Sequence, residues 1–189
     1  MTALIYKFVQ ISLLRAVPQD LPGQTLVLWL SVAMAALTGI AGLLIYYSVG
    51  ESLIRTITVL VVPAVFLYVA LSMKNLRSRF IQAYTAMCGT SAVVYVVALP
   101  FLPAFFEAIV ATQHNKFIVY VILLLDIWTV VVTAHILKHT LDIGMASGVS
   151  MAIAMMVMTL VVVEIVSPMQ SVDLSPQVSL TFKSRLLSV

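Results

Sequence analysis

Apolar residues run almost unbroken through five stretches of the chain, at about Leu26 to Tyr47, Arg55 to Met73, Phe80 to Leu99, Phe117 to Leu137 and Gly144 to Val166, with polar residues gathered between them. A helix needs roughly 20 apolar residues to cross a bilayer core of about 30 Å, so each stretch is of spanning length. The connections are too short to hold a separate soluble domain. The pattern predicts an all-α membrane protein with a five-helix transmembrane bundle over residues 25–166, preceded by a segment 1–24 and followed by a polar tail 167–189.

Residues 3–16, ALIYKFVQISLLRA, are too short to span, and Lys7, Gln10, Ser12 and Arg15 are spread along their length. This predicts an amphipathic helix lying at the membrane interface. Pro18-Gln19-Asp20-Leu21-Pro22-Gly23 follows as a rigid turn, because each proline fixes φ and biases the residue before it away from helix. Lys7 interrupts the opening and no small-residue cleavage site follows, so the N-terminus is expected to be retained. Between the third and fourth spans, the aromatics of Phe101-Leu102-Pro103-Ala104-Phe105-Phe106-Glu107 suit a membrane interface. In the tail, Val178, Leu180 and Phe182 alternate with Ser179, Thr181 and Lys183 in the period of a short strand.

Charge sets an orientation. The loop Lys74-Asn75-Leu76-Arg77-Ser78-Arg79 carries three basic residues and no acid, which predicts a cytoplasmic loop. Alternate crossing then puts six basic residues on that side (Lys7, Arg15, Lys74, Arg77, Arg79, Lys138) against two near the other (Arg55, Lys116). The N-terminus is therefore expected inside and the tail outside. With 62% hydrophobic and 9% charged residues, and a mean hydropathy of +1.14, the composition is that of an integral membrane protein whose first partner is the lipid bilayer. The net charge of +3 comes from residues scattered at helix ends, so nucleic acid is not an expected partner. The single cysteine, Cys88, lies inside the third span and leaves no intramolecular disulfide to form.

Several positions carry packing signals. Ser31, Ala35 and Gly39 recur every four residues and place small side chains on one stripe of the first span, where a neighbouring backbone can approach. Gly144 and Gly148 do the same at the start of the fifth. Pro63 interrupts the hydrogen-bond ladder of the second span and is its hinge candidate, with Thr56 and Thr58 close enough in sequence to help repair the gap. Met151, Met155 and Met158 continue the glycine stripe; thioethers can carry Cu(I), but methionine is also a common filler of packed cores, and no Met-rich exterior segment accompanies them. His135 and His139 have metal-ligand spacing but flank Lys138, and a cation beside two ligands disfavours a metal. No metal or cofactor is expected. No nucleophile triad, HExxH motif, phosphate loop or carboxylate pair can be assembled, so an enzyme is not expected either.

The strongest functional candidate is Asp126, alone at the midpoint of the fourth span. A charged carboxylate facing lipid there costs roughly 3 kcal/mol or more, so it should turn into the bundle. Thr129 and Thr133 follow at i+3 and i+7 on the same face, with Trp128 and His135 roughly opposite. Asp126 reads first as a hydrogen-bonding post, with Thr58, Tyr68, Thr90, Ser91 and Tyr95 as donors by depth, and second as part of a proton, ion or substrate route.

The stretch Asp126 to Ala154, DIWTVVVTAHILKHTLDIGMASGVSMAIA, and the opening Leu14-Arg15-Ala16-Val17-Pro18-Gln19-Asp20-Leu21-Pro22 resemble the Yip domain family, five-span membrane proteins named for interaction with Ypt/Rab GTPases, and in particular its bacterial members. The Gly-Tyr pairing of that family is replaced by Cys88-Gly89-Thr90-Ser91 in the third span. The resemblance implies the five-span fold, no catalytic residue, a bacterial inner membrane location, and a role in organising or assembling a membrane complex with a membrane-protein partner or as a homo-oligomer. The alternative is a small transporter or channel component that uses Asp126.

Overall fold

The computed structural model describes residues 2–105 and 116–168. Its helices are α1 (Thr2–Ser12), α2 (Thr25–Leu43), α3 (Val49–Met73), α4 (Phe80–Ala98), α5 (Lys116–Leu141) and α6 (Met145–Val166), with short 3-10 turns at Pro18–Asp20, Arg77–Arg79 and Leu99–Phe101. Among the described residues, five helices, α2 to α6, are long and apolar enough to cross a membrane, and the chain is an integral membrane protein of all-α class. Phe106, Glu107 and the tail from Met169 onward, with its alternating residues 178–183, lie outside the described residues.

Two helix boundaries differ from the hydropathy pattern. α3 begins at Val49 instead of Arg55 because Ser48 caps it: the Ser48 hydroxyl accepts from the Glu51 amide at 3.3 Å, and the Glu51 carboxylate accepts from the Ser48 amide at 3.2 Å. This reciprocal box satisfies two backbone donors at the helix start. α2 ends at Leu43, short of Tyr47, and passes through a tight turn into that cap.

The spanning helices close into a ring in which α2 packs on α3, α3 on α6, α6 on α5, α5 on α4, and α4 back on α2. The outward surfaces carry Leu26, Trp29, Leu37, Phe117, Leu124 and Ile165, all exposed, as lipid requires of faces that no helix covers. The buried stripe of Ser31, Ala35 and Gly39 allows α2 its close packing, and a Cβ on Gly39 would lie 3.6 Å from Thr56 Cγ2 on α3.

One end of the ring is basic and tightly tied. Arg79 pairs with Asp142 at 2.7 Å and donates to the Thr140 carbonyl, Lys74 donates to the Leu141 carbonyl at 3.1 Å, and Gln19 donates to the His139 carbonyl at 2.7 Å. Three chain reversals at this end use a residue with left-handed φ, Leu14 (60°), Asn75 (58°) and Asp142 (51°). In each, the next amide reaches back to the carbonyl five residues earlier: Arg15 to Gln10, Leu76 to Leu71 and Ile143 to Lys138. Asn and Asp tolerate this conformation better than Leu does. At the opposite end Arg55, only 6% exposed, lies 4.3 Å over the Tyr47 ring and donates to the Ser167 carbonyl at 2.6 Å, joining α3 to the end of α6.

The expectation of an interfacial N-terminal helix is narrowed by where α1 sits. Phe8, Ile11 and Ser12 form one fully buried stripe, and the Phe8 ring rests on Gly89, midway along α4. The Ser12 carbonyl accepts from Trp128 Nε1 at 2.8 Å, midway along α5. That side of α1 is therefore spent on the bundle, while Ile5, Tyr6 and Leu13 stay exposed on the other. Glycine at 89 permits the approach, since it leaves room for a ring where any side chain would stand.

An acid-bearing cavity inside the ring

α5 presents two working faces. On one, Trp128 and His135 hold the N-terminal segment, His135 Nε2 lying 3.1 Å from the Ala16 carbonyl. On the other, Asp126, Thr129 and Thr133 line a cavity of about 270 Å³ that receives residues from all five spanning helices. Helical spacing alone brings these three together, since i, i+3 and i+7 fall on one side.

Facing them are Ser91 and Tyr95 from α4, Thr56 and Pro63 from α3, Ala35 and Gly39 from α2, and Met155 and Thr159 from α6. The lining is mainly apolar, so its few polar groups decide what it can hold. Asp126 lines this space and is exposed, and among the described residues no hydrogen bond or ion pair engages its carboxylate. Thr56 is buried, at 5% exposed, and its hydroxyl also finds no partner among them. Buried polar groups are ordinarily satisfied, and one left open marks a place for water or a ligand.

The expected support of Asp126 is corrected in several respects. The Thr129 hydroxyl donates to its own helix at the Leu125 carbonyl (2.9 Å) and not to the acid. Of the five donors expected by depth, Ser91 and Tyr95 line the cavity, whereas Thr58 and Thr90 bond their own backbones at Ile54 and Ala86. Tyr68 points outward, against Phe80 and Arg77. A hydroxyl in a helix competes for the carbonyl one turn back, which sequence depth does not reveal.

Pro63 lines the cavity within a continuous α3, and the expected repair by neighbouring threonines is also corrected. Pro63 withholds an amide from its own turn. The carbonyl it leaves open is that of Val59, four residues back. Thr58 donates to the Ile54 carbonyl and the Thr56 hydroxyl has no partner among the described residues, so neither threonine repairs it. Tyr84 of α4 donates to the next carbonyl, that of Leu60, at 2.7 Å.

The glycine pair at the start of α6 divides. A Cβ on Gly148 would fall 2.8 Å from the Ala134 carbonyl oxygen, so this position is the close approach of α6 to α5. Gly144 is instead the exposed N-cap of α6, with nothing within 4 Å of a Cβ built there, because the chain is still turning out of α5 at that point. The methionines divide too: Met155 faces the cavity, while Met151 and Met158 line a groove outside the ring. The His135 and His139 rings lie 4.5 Å apart, centroid to centroid. Among the described residues no group of three or more His, Cys, Asp or Glu side chains could hold a metal ion.

The chain matches no family model, no curated protein and no solved structure.

Proposed function

We propose that this protein is a small membrane transporter or channel component that takes up a small cation, a proton or a protonated amine, at Asp126. The observation that carries the reading is the open carboxylate inside a ring of five helices, in a cavity that Thr56, with its partnerless hydroxyl, also lines. Holding an acid at membrane depth is costly, and a cation arriving in the cavity offsets that cost. Ser91 and Tyr95 supply oxygens that can complete its coordination. In this reading the basic end is cytoplasmic and the membrane is a bacterial inner membrane. The direct test is thermal unfolding in detergent with ammonium, methylammonium or sodium at equal ionic strength. A cation that binds the folded state raises the melting temperature of the wild type. That rise should vanish in Asp126→Asn, and equal shifts in both proteins would refute the reading.

A second reading is a non-enzymatic organiser of a membrane complex, in the manner of the Yip domain proteins that the stretch Asp126 to Ala154 resembles. Its support is that this stretch forms the α5–α6 pair, closely packed at Gly148. Recovery of one stoichiometric membrane partner in mild detergent, equally with wild type and Asp126→Asn, would favour it.

A further inference from the structure

Outside the ring, α3 and α6 leave between them an apolar groove of about 420 Å³. Val65, Phe66, Val69, Ala70 and Met73 form its α3 wall, and Met151 and Met158 stand on the α6 side. The residues on α3 fall at i, i+1, i+4, i+5 and i+8, a single face about 12 Å long at 1.5 Å per residue. The groove therefore runs from the basic end to about the middle of the membrane, the depth of one leaflet. At its basic end stands Lys74, exposed; Arg77 is exposed too, but it lies over the Tyr68 ring, outside the lining of the groove. Lys74 Nζ gives one hydrogen bond, to the Leu141 carbonyl, and Arg77 Nε gives one to Ser72 Oγ. The ion pair found among the described residues is Arg79 with Asp142, so neither of these cations meets an acid there.

We infer that the groove is a binding site for an anionic phospholipid of the leaflet at the basic end, one acyl chain lying between α3 and α6 and the phosphate on Lys74. Charge selects the occupant: a zwitterionic lipid fills the apolar groove as well, but only a net-negative headgroup gains from a lysine that meets no acid among the described residues. Each basic residue near a membrane surface strengthens binding of anionic lipid by about fivefold. The ammonium keeps two of its three donors for phosphate oxygens while it holds the turn after α5. A lipid seated there joins α3 to α6 along one leaflet, the same two helices that Arg55 joins at the other end.

The test uses the purified, delipidated full chain titrated with dioleoyl phosphatidylglycerol or dioleoyl phosphatidylcholine, which differ only in the headgroup. Bound lipid is counted by native mass spectrometry and stability is read by thermal unfolding. Phosphatidylglycerol should form one tight adduct and raise the melting temperature. Lys74→Gln, its melt read against its own lipid-free melt, should weaken that adduct about fivefold, and Arg15→Gln, an exposed basic residue away from the groove, should leave it unchanged. Ala70→Trp should fill the groove and remove the tight adduct. Equal binding of the two lipids, an adduct indifferent to Lys74→Gln, or one that survives Ala70→Trp would overturn the assignment. So would a dimer of this chain that displaces lipid and is lost on Ala70→Trp.

Discussion

The ring of Phe8 presses on the backbone of Gly89 so closely that a Cβ at position 89 would stand 2.3 Å from its Cε1. Phe8→Ala empties this fully buried site and should cost about 3 to 5 kcal/mol. Gly89→Ala should destabilise the wild type by displacing the ring. In the Phe8→Ala background it should become neutral or stabilising, since Ala is preferred to Gly in a helix by up to about 1 kcal/mol. A thermal-unfolding cycle over the four proteins checks the reversal of sign, and additive effects would show that α1 does not sit there.

Gly148 and Gly144 make a matched pair. Gly148→Leu should destabilise by about 1 to 3 kcal/mol, because its side chain must enter the backbone of α5 at Ala134. Gly144→Ala should stay within about 0.5 kcal/mol of wild type. Melting curves in one detergent decide it, and equal losses would mean that α6 packs by some other face.

Tyr84→Phe removes the hydrogen bond to the Leu60 carbonyl and should cost about 1 kcal/mol. The amide that Pro63 lacks would meet the Val59 carbonyl and not that of Leu60, so the loss should be the same in a Pro63→Ala background. A loss that shrinks in the Pro63→Ala background would mean that the proline opens the Leu60 carbonyl as well.

Orientation is open to chemical labelling. Ser78 in the basic loop and Gly50 in the first turn of α3 are both exposed and belong to opposite ends of the ring. Cysteines placed there in a Cys88→Ala background should react with an impermeant thiol reagent from opposite faces of sealed vesicles, Ser78→Cys from the cytoplasmic face. Reaction of both from one side would contradict the alternating path.

Much of this architecture is legible in the residues themselves. Spanning length and apolar content give the five helices, and the spacing of Asp126, Thr129 and Thr133 gives the α5 wall of the cavity. The start of α3 is legible too, but through Ser48-x-x-Glu51 and not through hydropathy, which begins only where the acid and its neighbours end. The opposite walls of the cavity are not. These helices are apolar on every side, so no moment turns Thr56, Ser91 or Tyr95 inward, and their rotation is set by Gly39, Gly148 and other contacts made only in the folded bundle. The depth of α1 is hidden for the same reason: nothing in its own pattern announces that Gly89, far along the chain, leaves room for Phe8.

The central claim is that Asp126 receives a cation inside the ring, and flux across proteoliposomes tests it most directly. Wild type should carry protons or methylammonium down an imposed potential, read by an internal pH dye and by uptake of labelled methylammonium. Asp126→Asn should fold and melt normally, because an amide keeps an acceptor and adds donors, yet carry neither. Ala152→Trp, which fills the cavity from α6 and leaves the acid in the sequence, should block flux as well. Flux in Asp126→Asn equal to that of the wild type would contradict the account.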